Sequence, residues 1–95
     1  MTSSLSLAEF ADQVETVFDE AVEQGNDDQL FAAGYLRGHF DLVVAQLLLD
    51  GVNSPEALWS ALDHSLNANR EELNPQDRAH VEEMLQQLKM RGETI

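Results

Sequence analysis

Between Asp27 and Asp50 the chain reads DDQLFAAGYLRGHFDLVVAQLLLD, its longest stretch free of proline and of any turn signal, and its most apolar. Such a run is a helix about 35 Å long at 1.5 Å per residue, and any fold the chain adopts has to be arranged along it. At about 100° per residue two apolar stripes wind along this segment. One carries Phe31, Tyr35, Leu42 and Leu49; the other carries Leu36, Phe40, Val43, Val44 and Leu47. Only a narrow strip with Asp28, His39, Gln46 and Asp50 suits water. A helix this apolar is expected to be surrounded, either by its own bundle or by a second subunit.

Between the stripes runs a line of Gly34, Gly38, Asp41, Ala45 and Leu48, with Arg37 beside it. Each glycine inside a helix costs about 1 kcal/mol relative to alanine. Close approach of another helix backbone is the expected offsetting gain. Arg37 and Asp41 are four residues apart with the base first, the weaker orientation for a helical ion pair. Exposed, such a pair contributes little; at a subunit contact it would fix register.

The flanking sequence supplies further helices. Leu7, Phe10, Val14, Val17, Phe18, Ala21 and Val22 share one arc of a segment from residue 7 to 24, with Ser6 and Glu9 in capping-box spacing and Gly25 as a left-handed stop. Ser54-Pro55 opens a third helix over 55–68 with Leu58, Leu62 and Leu66 as its core stripe and Trp59 just off it. Asn74-Pro75 opens a fourth over 75–91, packing through Ala79, Val81, Met84, Leu85 and Leu88 and stopping at Gly92. The expected fold is therefore all-α: one domain, a four-helix up-down bundle-like arrangement built around a long second helix over 28–50. Residues 1–5 and 93–95 are expected to be loose.

Composition narrows the functional classes. No cysteine is present, so disulfides and thiolate metal sites are excluded and stability has to come from packing. Eighteen acidic and five basic side chains leave a net charge of −13, and residues 1–36 hold eight acids and no Lys or Arg. Such a surface repels nucleic-acid phosphates and anionic lipid, so neither nucleic acid nor membrane is an expected partner. No basic leader or spanning apolar run is seen, and a cytoplasmic location is expected.

Chemistry-bearing constellations are missing from the pattern. His39, His64 and His80 fall on three different helices, and Asp77-x-x-His80 is at most half of a carboxylate-histidine metal site. Gly34 and Gly38 lie inside a helix, so they are no phosphate loop. The expectation is a non-enzyme without cofactor. A small-ligand binder or enzyme with a site near Tyr35, His39 and Trp59 stands as an alternative.

The segment Asp27-Asp28-Gln29-Leu30-Phe31-Ala32-Ala33-Gly34-Tyr35-Leu36-Arg37-Gly38-His39 closely resembles the hallmark of the small proteobacterial YfcL-like family, and Leu73-Asn74-Pro75-Gln76-Asp77-Arg78 is similar to that family's second turn. The resemblance spans roughly Ala8 to Leu88. It implies a cytoplasmic, all-α protein and supplies no catalytic residue or ligand; Phe40 stands where an aliphatic residue is the family's habit.

These readings converge on a protein–protein interaction or regulatory module, with a homodimer as one form. The expected contact surface comprises Gly34, Tyr35, Arg37, Gly38, His39 and Asp41. The alternative is an acidic adaptor or decoy that binds a basic protein through Glu9, Asp12, Asp19, Glu20 and Glu23.

Overall fold

A computed structural model describes residues 6–95, and these are helical throughout apart from short connections. The expected loose segment 1–5 lies outside the described residues. The order is α1 (Leu7–Val14), α2 (Thr16–Gln24), α3 (Asp27–Leu49), α4 (Pro55–Ala68), a 3-10 turn (Arg70–Glu72) and α5 (Pro75–Glu93).

Local chemistry explains most of these boundaries. Ser6 and Glu9 form the reciprocal capping box, the Glu9 amide donating to Ser6 Oγ at 3.1 Å and the Ser6 amide donating to Glu9 Oε1 at 3.0 Å. Asn26 and Gln29 do the same for α3, at 2.9 and 3.0 Å. At α5 the Asn74 side chain accepts from the Asp77 amide at 2.8 Å. Ser54 holds the N-cap position of α4 but makes no side-chain cap bond. The end of α3 is a Schellman motif: Gly51 takes φ 78°, and the Val52 amide reaches back to the Leu47 carbonyl at 2.9 Å.

The expected helix over 7–24 is instead two helices meeting at Glu15. Glu15 keeps its amide bond to the Ala11 carbonyl at 2.9 Å, so the chain bends without unravelling. The Thr16 hydroxyl donates to the Gln13 carbonyl at 2.9 Å, a back-bond that bends helices, and the Phe18 amide tightens onto the Glu15 carbonyl at 3.0 Å.

Two of the expected glycine stops work differently. Gly25 is extended (φ −83°, ψ 159°), not left-handed; a Cβ there would run into the Ala21 carbonyl oxygen, so space is what selects glycine. Gly92 does not end α5, which continues to Glu93 and beyond the expected boundary at residue 91. A Cβ on Gly92 would lie 2.9 Å from both Phe10 Cζ and Trp59 Cζ2, so this glycine is where α5 passes close beneath two aromatic rings. Thr94 is also tied down, its hydroxyl donating to the Arg91 carbonyl at 2.8 Å.

The core lies where α3 meets α2, α4 and α5. Leu36 and Phe40 of α3 are fully buried with Leu7, Val14, Phe18, Leu58, Leu62 and Leu88. Phe40 meets Phe18 edge-to-face with ring centroids 5.6 Å apart. Of the residues expected to pack α5, Val81, Met84, Leu85 and Leu88 are buried and Ala79 is exposed. The smallest dimension of the Cα envelope is 17 Å, about two helix layers, so each helix keeps one face free of the other layer.

Candidate functional site

The second stripe of α3, containing Leu36, Phe40 and Val43, enters the core, with Val44 and Leu47 partly buried at its edges. The first does not. Phe31 is 41% exposed, Leu42 65% and Leu49 82%, and Leu48 beside them is 45% exposed. Gly34, Gly38 and Ala45 are exposed between these side chains. Of the two kinds of surrounding expected for this helix, its own bundle supplies the cover of the second stripe and leaves Phe31, Leu42 and Leu49 of the first outside. With two layers of helices, α3 has a single side to bury, and the apolar residues on its other side stay outside.

The glycines follow the same logic. A Cβ built on Gly34 or Gly38 meets nothing within 4 Å among the described residues. Among the described residues no other helix comes close to them; the crowded glycine inside a helix is Gly92, against the Phe10 and Trp59 rings. Along α3, Phe31, Tyr35, Gly38, Leu42, Ala45 and Leu49 recur at alternating four- and three-residue steps, the spacing of a coiled-coil seam. None of the six carries a charge, in a chain with 18 acidic and five basic side chains.

Polar residues border this open face. On one side Tyr35 is half-buried, its hydroxyl donating to Glu72 Oε1 at 3.0 Å while its ring lies 6.1 Å from Phe31 and 4.7 Å from His39. His39 was expected in the strip facing water; it is half-buried, its Nδ1 2.8 Å from the Ser65 hydroxyl of α4. On the other side Arg37 lies 3.9 Å from both Asp19 of α2 and its own helical neighbour Asp41, with all three side chains largely solvated. At that distance and exposure the pairs contribute little to stability.

Glu15, at the α1–α2 bend, faces Asp41 across the helix boundary. Partial burial and the neighbouring Asp41 carboxyl push its pKa up from 4.5 to about 7, with Arg37 opposing the shift. The bend therefore brings a second carboxyl to the border of the open face, a feature that spacing along one helix cannot reveal.

The remaining candidate residues are dispersed. Trp59 does not join Tyr35 and His39; it packs edge-to-face on Phe10, with centroids 5.9 Å apart, against Gly92 of α5. Tyr35 instead lines a 190 Å³ cavity with Leu66, Arg70, Leu73 and Arg78, while Trp59 lines a separate shallow cavity with Phe10, Pro55 and Lys89. The expected three-residue pocket is thus two unconnected features. Among the described residues no three potential metal ligands converge, and His80 sits 3.5 Å from Asp28 and 3.7 Å from Glu83.

The acidic face is partly occupied from within. Arg91 grips Glu20 with both carboxylate oxygens at 2.7 and 2.8 Å, Asp19 lies near Arg37, and Glu9 is engaged in its capping box. Asp12 and Glu23 are exposed.

A sequence model described as YfcL protein matches residues 8–90, a span containing every helix from α2 to α4 and all but the ends of α1 and α5. The chain belongs to the YfcL family. It is 37% identical over 84 residues to an Escherichia coli (strain K12) protein described as uncharacterized protein YfcL, covering 86% of this chain and 91% of that relative. No solved structure matches. The open face of α3 lies wholly inside the span matched by the YfcL family, as do the bend at Glu15 and the Gly51 turn.

Proposed function

We propose that the protein is a non-catalytic, cytoplasmic protein–protein interaction module, an up-down helical bundle that docks a partner helix on the open face of α3. The observation that carries this reading is the exposure of Phe31, Leu42 and Leu49 in one row, with Gly34 and Gly38 leaving open ground between them. Monomeric proteins seldom leave a long, uncharged apolar row in water, and such rows are the usual docking ground for an amphipathic helix. Tyr35, His39, Arg37 and Asp41 then form the polar rim of the contact.

The test is affinity capture from the native cell with wild type and two variants. Leu42→Glu places a charge in the centre of the face and should abolish capture of the bound set. Glu23→Ala, on the acidic face, should leave it intact. Capture indifferent to Leu42→Glu but lost with Glu23→Ala would transfer the function to the acidic surface and sink this reading.

A further inference from the structure

The open face of α3 has a pattern of large and small residues that names its own complement. Reading along the seam, the order is Phe31, Tyr35, Gly38, Leu42, Ala45, Leu49, with Gly34 and Leu48 flanking it. Reversing the helix about its middle brings Leu42 opposite Gly38, Tyr35 opposite Ala45 and Leu49 opposite Phe31, with Leu48 on the same flank as Gly34 but one residue step out of that register. Gly38 meets a leucine and Ala45 meets the tyrosine, while Phe31 and Leu49 face one another at the two ends. Knobs then fall into holes, the condition for close packing of two helices at a seam. The same match holds in both directions, which is the requirement of a two-fold interface.

We propose, building on the docking-face reading above, that the occupant of this face is the α3 helix of a second copy, packed antiparallel in that register. A parallel arrangement is the poorer fit, because it stacks Gly38 on Gly38 and Gly34 on Gly34 and leaves empty layers beside crowded Phe31 and Leu42 layers. The open space at Gly38 is what the antiparallel arrangement uses: beyond the helix's own turn no described atom lies within 4 Å of a Cβ there, so a leucine from outside can enter. Near the axis the two Asp41 side chains approach one another, each with an Arg37 at 3.9 Å from its own carboxylate.

Size sets the strength. A seam about 35 Å long and about one helix diameter wide buries on the order of 1,000 Å² in total, the lower edge of stable interfaces. Both copies carry a net charge of −13, which opposes their approach. The dimer is therefore a weak, exchanging one. Added salt strengthens it by screening that repulsion, the opposite of a contact made by an acidic face on a basic partner.

Two measurements test this on the full chain. Light scattering from micromolar to submillimolar concentration should show a monomer–dimer equilibrium that shifts toward dimer in high salt. Leu42→Glu and Gly38→Leu should each weaken it more than about tenfold while the helical circular dichroism stays unchanged. The natural lack of cysteine makes register measurable. Leu49→Cys and Phe31→Cys proteins, mixed and oxidised, should form a disulfide between the two variants. Either alone should form little, since like positions then lie about 27 Å apart. Equal crosslinking of Leu49→Cys with itself would overturn the antiparallel register. A wild-type monomer throughout the concentration range would overturn self-association, and the capture experiment above would still decide whether the face docks another protein.

Discussion

Alanine at Gly38 should have effects of opposite sign on folding and on association, and alanine at Gly34 the same effect on folding. Neither position has a neighbour for the added methyl, so each substitution should raise monomer stability by up to about 1 kcal/mol through the helix preference of alanine. Measured by urea denaturation of dilute protein, that gain should coincide at Gly38 with weaker self-association, because the added methyl fills the hole into which the proposed dimer would insert Leu42. Loss of stability at these two positions would show that they pack inside the monomer after all. Gly92→Ala is the control of opposite sign. Its methyl would lie 2.9 Å from the Phe10 and Trp59 rings, and overpacking of that kind costs about 1 to 3 kcal/mol in the same denaturation experiment. At Glu15 the residue-scale effect is electrostatic. Its pKa is raised from 4.5 to about 7, so between those values the folded state keeps a proton that the unfolded chain has released. Stability therefore falls as pH rises through this window. Glu15→Gln should remove that part of the slope and raise stability at pH 8 by about 1 kcal/mol after solvent screening, with little effect at pH 4. An unchanged pH profile between the two proteins would refute the raised pKa.

At the scale of elements, helix starts were largely legible in the chain and helix relations were not. Ser6 with Glu9, Asn26, and Asn74 with Pro75 announce their helices through local hydrogen bonding, which depends on residues three apart. The break at Glu15 goes with Thr16 reaching back to the Gln13 carbonyl, and amphipathic periodicity runs across it undisturbed. One start has a distant component. The Asn53 side chain, in the α3–α4 connection, accepts from the Leu7 amide at 2.9 Å, a contact between residues 46 apart in sequence that spacing could not have flagged. Asn53→Ala should cost about 1 kcal/mol, a typical helix-cap loss, and speed hydrogen exchange at the start of α1 before the rest of the molecule. Uniform exchange would mean that α1 does not depend on that anchor. The two stripes of α3 were also legible, yet their fates were not. Leu36, Phe40, Val43 and Leu47 follow the same four-three spacing as the outer seam, and only the packing of α2, α4 and α5 on one side decides which seam is buried.

For the whole molecule, the excess of acids predicts a general salt response. With a net charge of −13, the melting temperature of a monomeric variant such as Leu42→Glu should rise with added sodium chloride as self-repulsion is screened. A fall in that temperature would mean that the few ion pairs, chiefly Arg91–Glu20 and Lys89–Asp63, outweigh the repulsion. The acidic face and the uncharged seam of α3 thus divide the surface into a part that keeps copies apart and a part on which the proposed dimer would form. That division also separates the chromophores. The single tryptophan is wedged against Phe10 and Gly92 where α1, α4 and α5 meet, while the single tyrosine stands on the seam with its hydroxyl on Glu72. Trp59 emission therefore reports whether those three helices are docked, and the Tyr35 absorbance reports what covers the open face. Folding and any covering of the α3 face would therefore leave separate optical signatures in the native chain, readable without a label.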